Sequence, residues 1–291
     1  MLAVVGTVPQ EDFPLKAGLA RLAGEGLEVD GSQVPINRGT AALLAASLRA
    51  AQSTVGQEVF AFLVGDIGLG KGSRRLYEHL AEHLEEYDFS GLVFHYLQPD
   101  VDWQIRVLMA AEAMASQPLL MADAGFMYAA KMSGMAGSYD LFTPDVGELA
   151  FLADEQAPHP FYTRGFILHE GNRVPELIAT AYKHQNAARH LLVKGSQDYL
   201  AMGPDRILAL DGPSSPALEA IGGTGDTLTG IAAALAAEGM DLPRAARVAA
   251  LANRLAGAKA QPTPATQIAD ILAHVPEALA EALAAHQEEG A

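Results

Sequence analysis

The run Ala-Ile-Gly-Gly-Thr-Gly-Asp-Thr-Leu-Thr-Gly, Ala220 to Gly230, has the residue types and spacing of an anion site with a base beside it. Gly222, Gly223, Thr224 and Gly225 lead straight into the alanine-rich stretch Ile231–Ala237, which predicts a flexible turn opening a helix. The first turn of a helix has unpaired N–H groups and a partial positive charge, and glycines let an anion approach them closely. Asp226 is the anomaly, because a carboxylate repels an anion. On spacing alone two readings stand level: Asp226 takes a proton from a hydroxyl beside a bound phosphate, or it merely favours the helix N-terminus electrostatically.

Two other segments carry complementary chemistry. Phe142-Thr143-Pro144-Asp145-Val146-Gly147-Glu148 spans a strand-to-helix junction. Asp145 as N-cap with Glu148 three residues on is a capping-box spacing. The same carboxylates facing one crevice would hold Mg2+ through water. Leu191-Leu192-Val193-Lys194-Gly195 reads as a strand ending in a lysine that neutralises phosphate charge.

Other patterns are weaker. Gly65-Asp66-Ile67-Gly68-Leu69-Gly70-Lys71-Gly72 matches a P-loop through its lysine, but Gly72 stands where the pattern demands Ser or Thr, and Ser73 comes one residue late. A glycine turn at the carboxyl end of a strand still lines the ligand crevice of α/β proteins, so Gly65, Asp66, Gly68 and Gly70 are expected against substrate. The alternative is a plain tight turn. His79 and His83 share a helix face among Glu78, Glu85 and Glu86, which reads as a solvated face without a third metal ligand. His95, at a strand end, reads as a satisfied polar group, and Trp103 as packing. No Gly-x-Ser-x-Gly elbow occurs.

The elements that position these residues alternate between short apolar runs and helical patterns, the signature of a mostly parallel sheet. Strands are predicted at 2–7, 59–64, 91–96, 118–122, 141–142 and 190–193. Helices are predicted at 40–51, 73–85, 101–115, 125–132, 146–152, 175–185, 224–238, 242–258 and 268–285. Residues 26–34 alternate around Asp30-Gly31 as a hairpin that forms a flap at the sheet edge, and 200–210 as a second hairpin. No long linker or repeat interrupts the 291 residues, so one domain, 1–291, is expected.

Half the chain is hydrophobic and 19% is charged, enough for a substantial core. A net charge of −16 argues against sequence-independent nucleic-acid binding and against anionic membranes. The absence of cysteine excludes disulfides, thiolate metal sites and cysteine nucleophiles. Met1–Gly6 reads as a first strand rather than a signal peptide, and no apolar run reaches spanning length, so a cytoplasmic, soluble protein is expected.

Taken in order, the early glycine turn, a strand ending in Asp123, Thr-Pro-x-x-x-Glu at 143–148, Val-Lys-Gly at 193–195 and Gly-Thr-Gly-Asp at 223–226 resemble the ribokinase-like superfamily. Within it the C-terminal half is most similar to the ADP/ATP-dependent NAD(P)H-hydrate dehydratases, whose anion-hole motif Gly-Gly-Thr-Gly-Asp-x-Leu-x-Gly matches Gly222–Gly230. The resemblance covers roughly 59–279. It implies a Rossmann-like α/β/α sandwich, ATP or ADP near Lys194 and the glycine cradle, and Asp226 as base on a hydroxyl that attacks the terminal phosphate. It also implies Asp123 on the substrate side. In the dehydratases that hydroxyl sits on the hydrated nicotinamide ring, and elimination of phosphate restores NAD(P)H; in the related sugar and vitamin kinases the phosphorylated alcohol is the product.

The chain departs from the dehydratase pattern on the substrate side. Asp145-Val146-Gly147-Glu148 replaces His-Pro-Gly-Glu, Asp66-Ile67 replaces the proline of the first turn, and Asp123-Ala124-Gly125 is one carboxylate short. Residues 86–117 add a strand–helix unit. The expectation is a dehydratase or close relative, alternatively a small-molecule kinase or a non-catalytic nucleotide-binding relative. A small-molecule partner and a homo-oligomer are also expected.

Overall fold

Every residue of strand β1 (Leu2–Val8) is buried. Successive side chains of a strand point to opposite faces. Leu2, Val4 and Val8 accordingly join one apolar cluster and Ala3 and Val5 another, so both faces of this strand are covered, as a parallel sheet requires. The computed structural model describes residues 1–157 and 173–288.

Strand β1 pairs in parallel with β5 (Val59–Gly65) on one side and β6 (Gly91–His95) on the other. The parallel run continues through β7 (Leu119–Ala122), β8 (Leu141–Phe142) and β9 (His190–Val193). Antiparallel strands extend both edges. On one, β2 (Lys16–Ala23) pairs with β5 and carries the hairpin β3 (Gly26–Val29) and β4 (Ser32–Pro35). On the other, β10 (Asp198–Ala201) and β11 (Ile207–Leu210) follow β9. Among the described residues the sheet has eleven strands in the order β11-β10-β9-β8-β7-β6-β1-β5-β2-β3-β4.

Helices cover both faces. One layer holds α1 (Thr40–Ser53), α7 (Thr224–Ala237), α8 (Leu242–Lys259), α9 (Ile268–Leu272) and α10 (Val275–Glu288). The opposite layer holds α2 (Lys71–His83), α3 (Val101–Ala113), α4 (Ala124–Met132), α5 (Val146–Ala153) and α6 (Val174–Lys183). Helices α1 and α7 are alanine-rich and meet closely. A side chain at Gly230 would stand 2.2 Å from the Leu43 carbonyl oxygen, and Ser47 Oγ donates to the Gly230 carbonyl at 3.0 Å. This contact sets the height of α7 and of the glycine turn that opens it.

Two expectations are corrected. The helix predicted at 268–285 is two helices, with Pro276 at the second position of α10, where its missing N–H costs nothing. Strand β2 was not expected, because Ala17, Gly18, Ala20 and Ala23 have poor strand propensity. Its pairing with β5 and β3 supplies what propensity does not. Among the described residues no helix is long and apolar enough to cross a membrane.

Candidate active site

The carboxyl ends of β6, β7, β8 and β9 deliver His95, Asp123, the Thr143–Asp145 turn and Lys194 to one edge of the sheet, and the N-terminus of α7 closes over them. Between these parts lies a cavity of about 520 Å³ lined by Asp123, Asp145, Glu148, Lys194 and residues Gly223 to Asp226.

The glycine turn is built as a cradle. Gly223, the N-cap of α7, has φ +106°, a conformation that suits glycine, and a side chain there would stand 2.9 Å from Ile268 Cγ1. The N–H of Thr227 is the first to close a helical turn, onto the Gly223 carbonyl at 2.9 Å. The N–H groups of Thr224, Gly225 and Asp226 are thus the orphan donors of a helix N-terminus. A side chain at Gly225 would meet Lys194 Nζ at 3.6 Å, so the bare backbone there brings the ammonium up to the cradle. Gly222 does not line the cavity; it backs onto Arg38, whose Cδ lies 3.3 Å from the position a side chain would take.

Asp226 is 9% exposed. Its Oδ2 accepts the Gly39 N–H at 2.7 Å, and its Oδ1 lies 3.1 Å from His95 Nε2. Burial alone would raise its pKa, but His95, Lys194 and the Gly39 N–H outweigh it and hold the carboxyl below its ordinary value. His95 is fully buried, with Nδ1 3.0 Å from Thr40 Oγ1. An ionised carboxylate only accepts, so Nε2 carries the proton shared with Asp226. His95 is therefore the satisfied polar group that the sequence predicts, and it is also the partner of Asp226, which the sequence does not reveal. The signal available was a histidine ending the strand beside the one that ends in Asp123.

Lys194 Nζ lies 2.9 and 2.8 Å from the two oxygens of Asp123. Burial would lower the Lys194 pKa, yet the charges of Asp123, Glu148 and Asp226 raise it, so the ammonium stays charged. Asp123, 1% exposed, also accepts from its own helix at Ala124 N–H (2.8 Å) and from Thr229 Oγ1 (2.7 Å). It lines the cavity, and its oxygens are engaged within the protein.

Asp145 and Glu148 form the capping box. Asp145 Oδ1 accepts the Glu148 N–H at 2.7 Å, and Glu148 Oε2 accepts the Asp145 N–H at 2.8 Å. Tyr128 Oη donates to Glu148 Oε1 at 2.9 Å. Burial, with the nearby charges of Asp123 and Asp145, pushes Glu148 up to about 8 against the pull of Lys194. Both residues line the cavity, so the cap and the crevice-facing pair coexist. A second cluster, His95, Asp123 and Asp226, brings ligand-type atoms within 4.8 Å of one another, but Lys194 and the Gly39 N–H already hold its carboxylates.

The turn after β5, with Gly65, Asp66, Gly68 and Gly70, does not line this cavity. Asp66 Oδ1 accepts the N–H groups of Gly68, Leu69 and Gly70 at 2.9–3.0 Å, and Oδ2 accepts the N–H and hydroxyl of Ser73 at 2.8 Å. Burial opposes ionisation of Asp66, and the bonds from Ser73, Gly70 and Gly68 overcome it and lower its pKa. The turn thus carries its own anion where a P-loop would take a phosphate. A side chain at Gly72 would stand 2.0 Å from the Gly65 carbonyl oxygen, which explains the glycine where a P-loop has Ser or Thr.

A family model described as NAD(P)H-hydrate dehydratase matches residues 100–282. Over 224 residues, 77% of this chain and 92% of the relative, the chain is 40% identical to an uncharacterized protein of Methanocaldococcus jannaschii. It is 33% identical over 139 residues to the ADP-dependent (S)-NAD(P)H-hydrate dehydratase of Cenarchaeum symbiosum, covering 48% of this chain and 43% of that one. Among solved structures, a ribokinase-like superfamily protein from Enterococcus faecalis superposes with a TM-score of 0.58 at 16% identity, over 97% of this chain and 87% of that one. The pyridoxal kinase of Staphylococcus aureus does so with a TM-score of 0.52 at 13% identity, over 87% and 86%. The fold is ribokinase-like. Gly39, Thr40, His95 and Tyr96 lie outside the matched stretch.

Proposed function

The chain belongs to the NAD(P)H-hydrate dehydratase family, a family of enzymes, and on that footing we propose that it dehydrates hydrated NAD(P)H at the expense of ATP or ADP. The observation that carries this reading is Asp226, an ionised carboxylate in the cavity wall beside the orphan N–H groups of α7, with the Lys194 ammonium across the same space. In this scheme the terminal phosphate rests on the N–H groups of Thr224 and Gly225, and Lys194 balances its charge. Asp226 accepts the proton of the substrate hydroxyl as that oxygen bonds to the terminal phosphorus, and the bond from phosphorus to the bridging nucleotide oxygen breaks. The new phosphate then leaves with the electrons of the carbon–oxygen bond, a neighbouring ring carbon loses a proton, and the ring double bond returns.

Asp145 and Glu148 offer a hard cation oxygen donors on the cavity wall: Asp145 spends one carboxylate oxygen on the cap and keeps the other, and each Glu148 oxygen, already accepting one bond, keeps a lone pair once the proton held up to about pH 8 is released. They would hold Mg2+ through water, where it neutralises nucleotide charge.

The kinase reading is favoured by one feature, Asp145-x-x-Glu148 in place of His-Pro-Gly-Glu. One assay separates the readings. The protein is mixed with hydrated NADH and either nucleotide, and NADH absorbance is followed. Recovery supports dehydration; no recovery together with phosphorylation of an alcohol panel establishes the kinase instead, and nucleotide binding without any turnover a non-catalytic relative. Asp226→Asn is expected to abolish turnover and leave nucleotide affinity within about twofold, since it removes the base and keeps the shape. Retained turnover would remove Asp226 from the base role.

A further inference from the structure

Tyr96 follows β6, lies outside the stretch matched by the family model, and has no part in the phosphoryl-transfer scheme. Of the exposed large apolar side chains among the described residues, it alone lines the cavity, and it is 50% exposed. Its backbone is strained, with φ +50°, in a region that a bulky side chain disfavours. Such strain persists only where the surroundings impose it. Here Thr7 Oγ1 donates to the Tyr96 carbonyl at 2.8 Å. The ring packs on His95 with centroids 4.2 Å apart. A side chain at Gly39 would stand 3.2 Å from ring atom Cε2, so glycine there leaves room for the ring. His95 and Gly39 are the two residues that hold Asp226. The Asp226 charge reaches Tyr96 in turn: burial first, then Asp226, pushes its hydroxyl up to about 12.

The geometry assembles a rigid aromatic surface, backed on one side, open to the cavity and adjacent to the proposed base. An aromatic ring gives large contact area for little entropy and favours offset stacking on a flat partner. We propose that Tyr96 is the stacking platform for the reduced nicotinamide ring, which carries the hydroxyl in the hydrated substrate and becomes a flat dihydropyridine in the product, and that it places this hydroxyl at Asp226. This rests on the dehydratase reading. A small aliphatic alcohol has no flat ring to cover this surface.

The test is calorimetric titration of NADH into the protein saturated with ADP, which occupies the nucleotide site so that NADH reports the second one. Tyr96→Gly removes the ring and suits the positive φ, so it is expected to fold, and its ADP affinity serves as the control. Wild type and Tyr96→Phe are expected to bind NADH alike, and Tyr96→Gly about tenfold or more weakly, with ADP affinity equal in all three. Unchanged NADH affinity in Tyr96→Gly overturns the platform, as does a loss in Tyr96→Phe equal to that in Tyr96→Gly, which would assign the effect to the phenol. Wild type that takes ADP but no NADH overturns the dehydratase reading and the platform with it. A failure of the platform alone leaves wild-type binding intact.

Discussion

Each oxygen of Asp226 accepts one hydrogen bond from the protein, and a carboxylate oxygen has two lone pairs, so each keeps one for a substrate hydroxyl. The carboxyl is held below its ordinary value of 3.8, so it is ionised across the neutral range. The acid limb of kcat/KM that belongs to Asp226 therefore lies below that value. His95→Phe, which removes its main counterweight to burial, moves the limb to higher pH, and His95→Gln, which keeps an N–H donor, moves it less. Glu148 behaves oppositely. Its pKa is raised from 4.5 to about 8, so between those values the folded state holds a proton that the unfolded chain releases. Linkage then makes stability fall as pH rises through that window. Glu148→Gln, which keeps the acceptor of the capping box, should flatten the slope; urea midpoints at pH 5 and pH 8, compared with wild type, measure it. The sequence alone discloses Asp145 and Glu148 because their spacing is local. It does not disclose His95 as the partner of Asp226, because 131 residues separate them and no local spacing rule spans such a gap.

The P-loop-like turn shows how an element can match a pattern and still do other work. Five hydrogen bonds converge on Asp66, so the turn between β5 and α2 is complete without a ligand. Asp66→Ala orphans those donors and is expected to lower stability by about 2–3 kcal/mol; ADP affinity, measured alongside the thermal midpoint, should not change. Gly223→Ala is expected to do the reverse in emphasis. It forces a side chain into φ +106° and against Ile268, which distorts the cradle and weakens ADP binding about tenfold or more. The two turns share glycine, a strand before and a helix after. The difference is a carboxylate that either caps its own loop or faces the cavity, and that depends on what the neighbouring strands deliver.

At the scale of the molecule, the alternation of short apolar runs with helices made the parallel sheet and its two helical layers readable, since each depends on local periodicity. The antiparallel edge strand β2 and the break between α9 and α10 were not readable from the pattern, the first because pairing overrides propensity. The cavity is braced by a long-range pair as well. Arg254 on α8 donates to Asp198 Oδ2 at 2.8 Å and to the Gly195 carbonyl at 3.0 Å, tying a helical layer to β10 and to the residue after Lys194. Arg254→Ala leaves a buried carboxylate unpaired and is expected to cost about 3–5 kcal/mol, read from urea unfolding. Arg254→Lys should restore only part, because an ammonium cannot reproduce the guanidinium fork.

The layer formed by α1, α7, α8, α9 and α10 has a consequence for synthesis. Four of its five helices begin at residue 224 or later, whereas all eleven described strands end by residue 210. A chain growing from its N-terminus therefore completes the sheet while α1 alone covers one face. Until the last quarter emerges, that face presents Leu2, Val4, Leu63 and Val93 to solvent or to a chaperone. The bond from Asp226 to Gly39 spans 187 residues. The nascent protein thus acquires its proposed base only as that face is covered, so a chain stalled short of α7 lacks the proposed base and leaves an apolar sheet face uncovered.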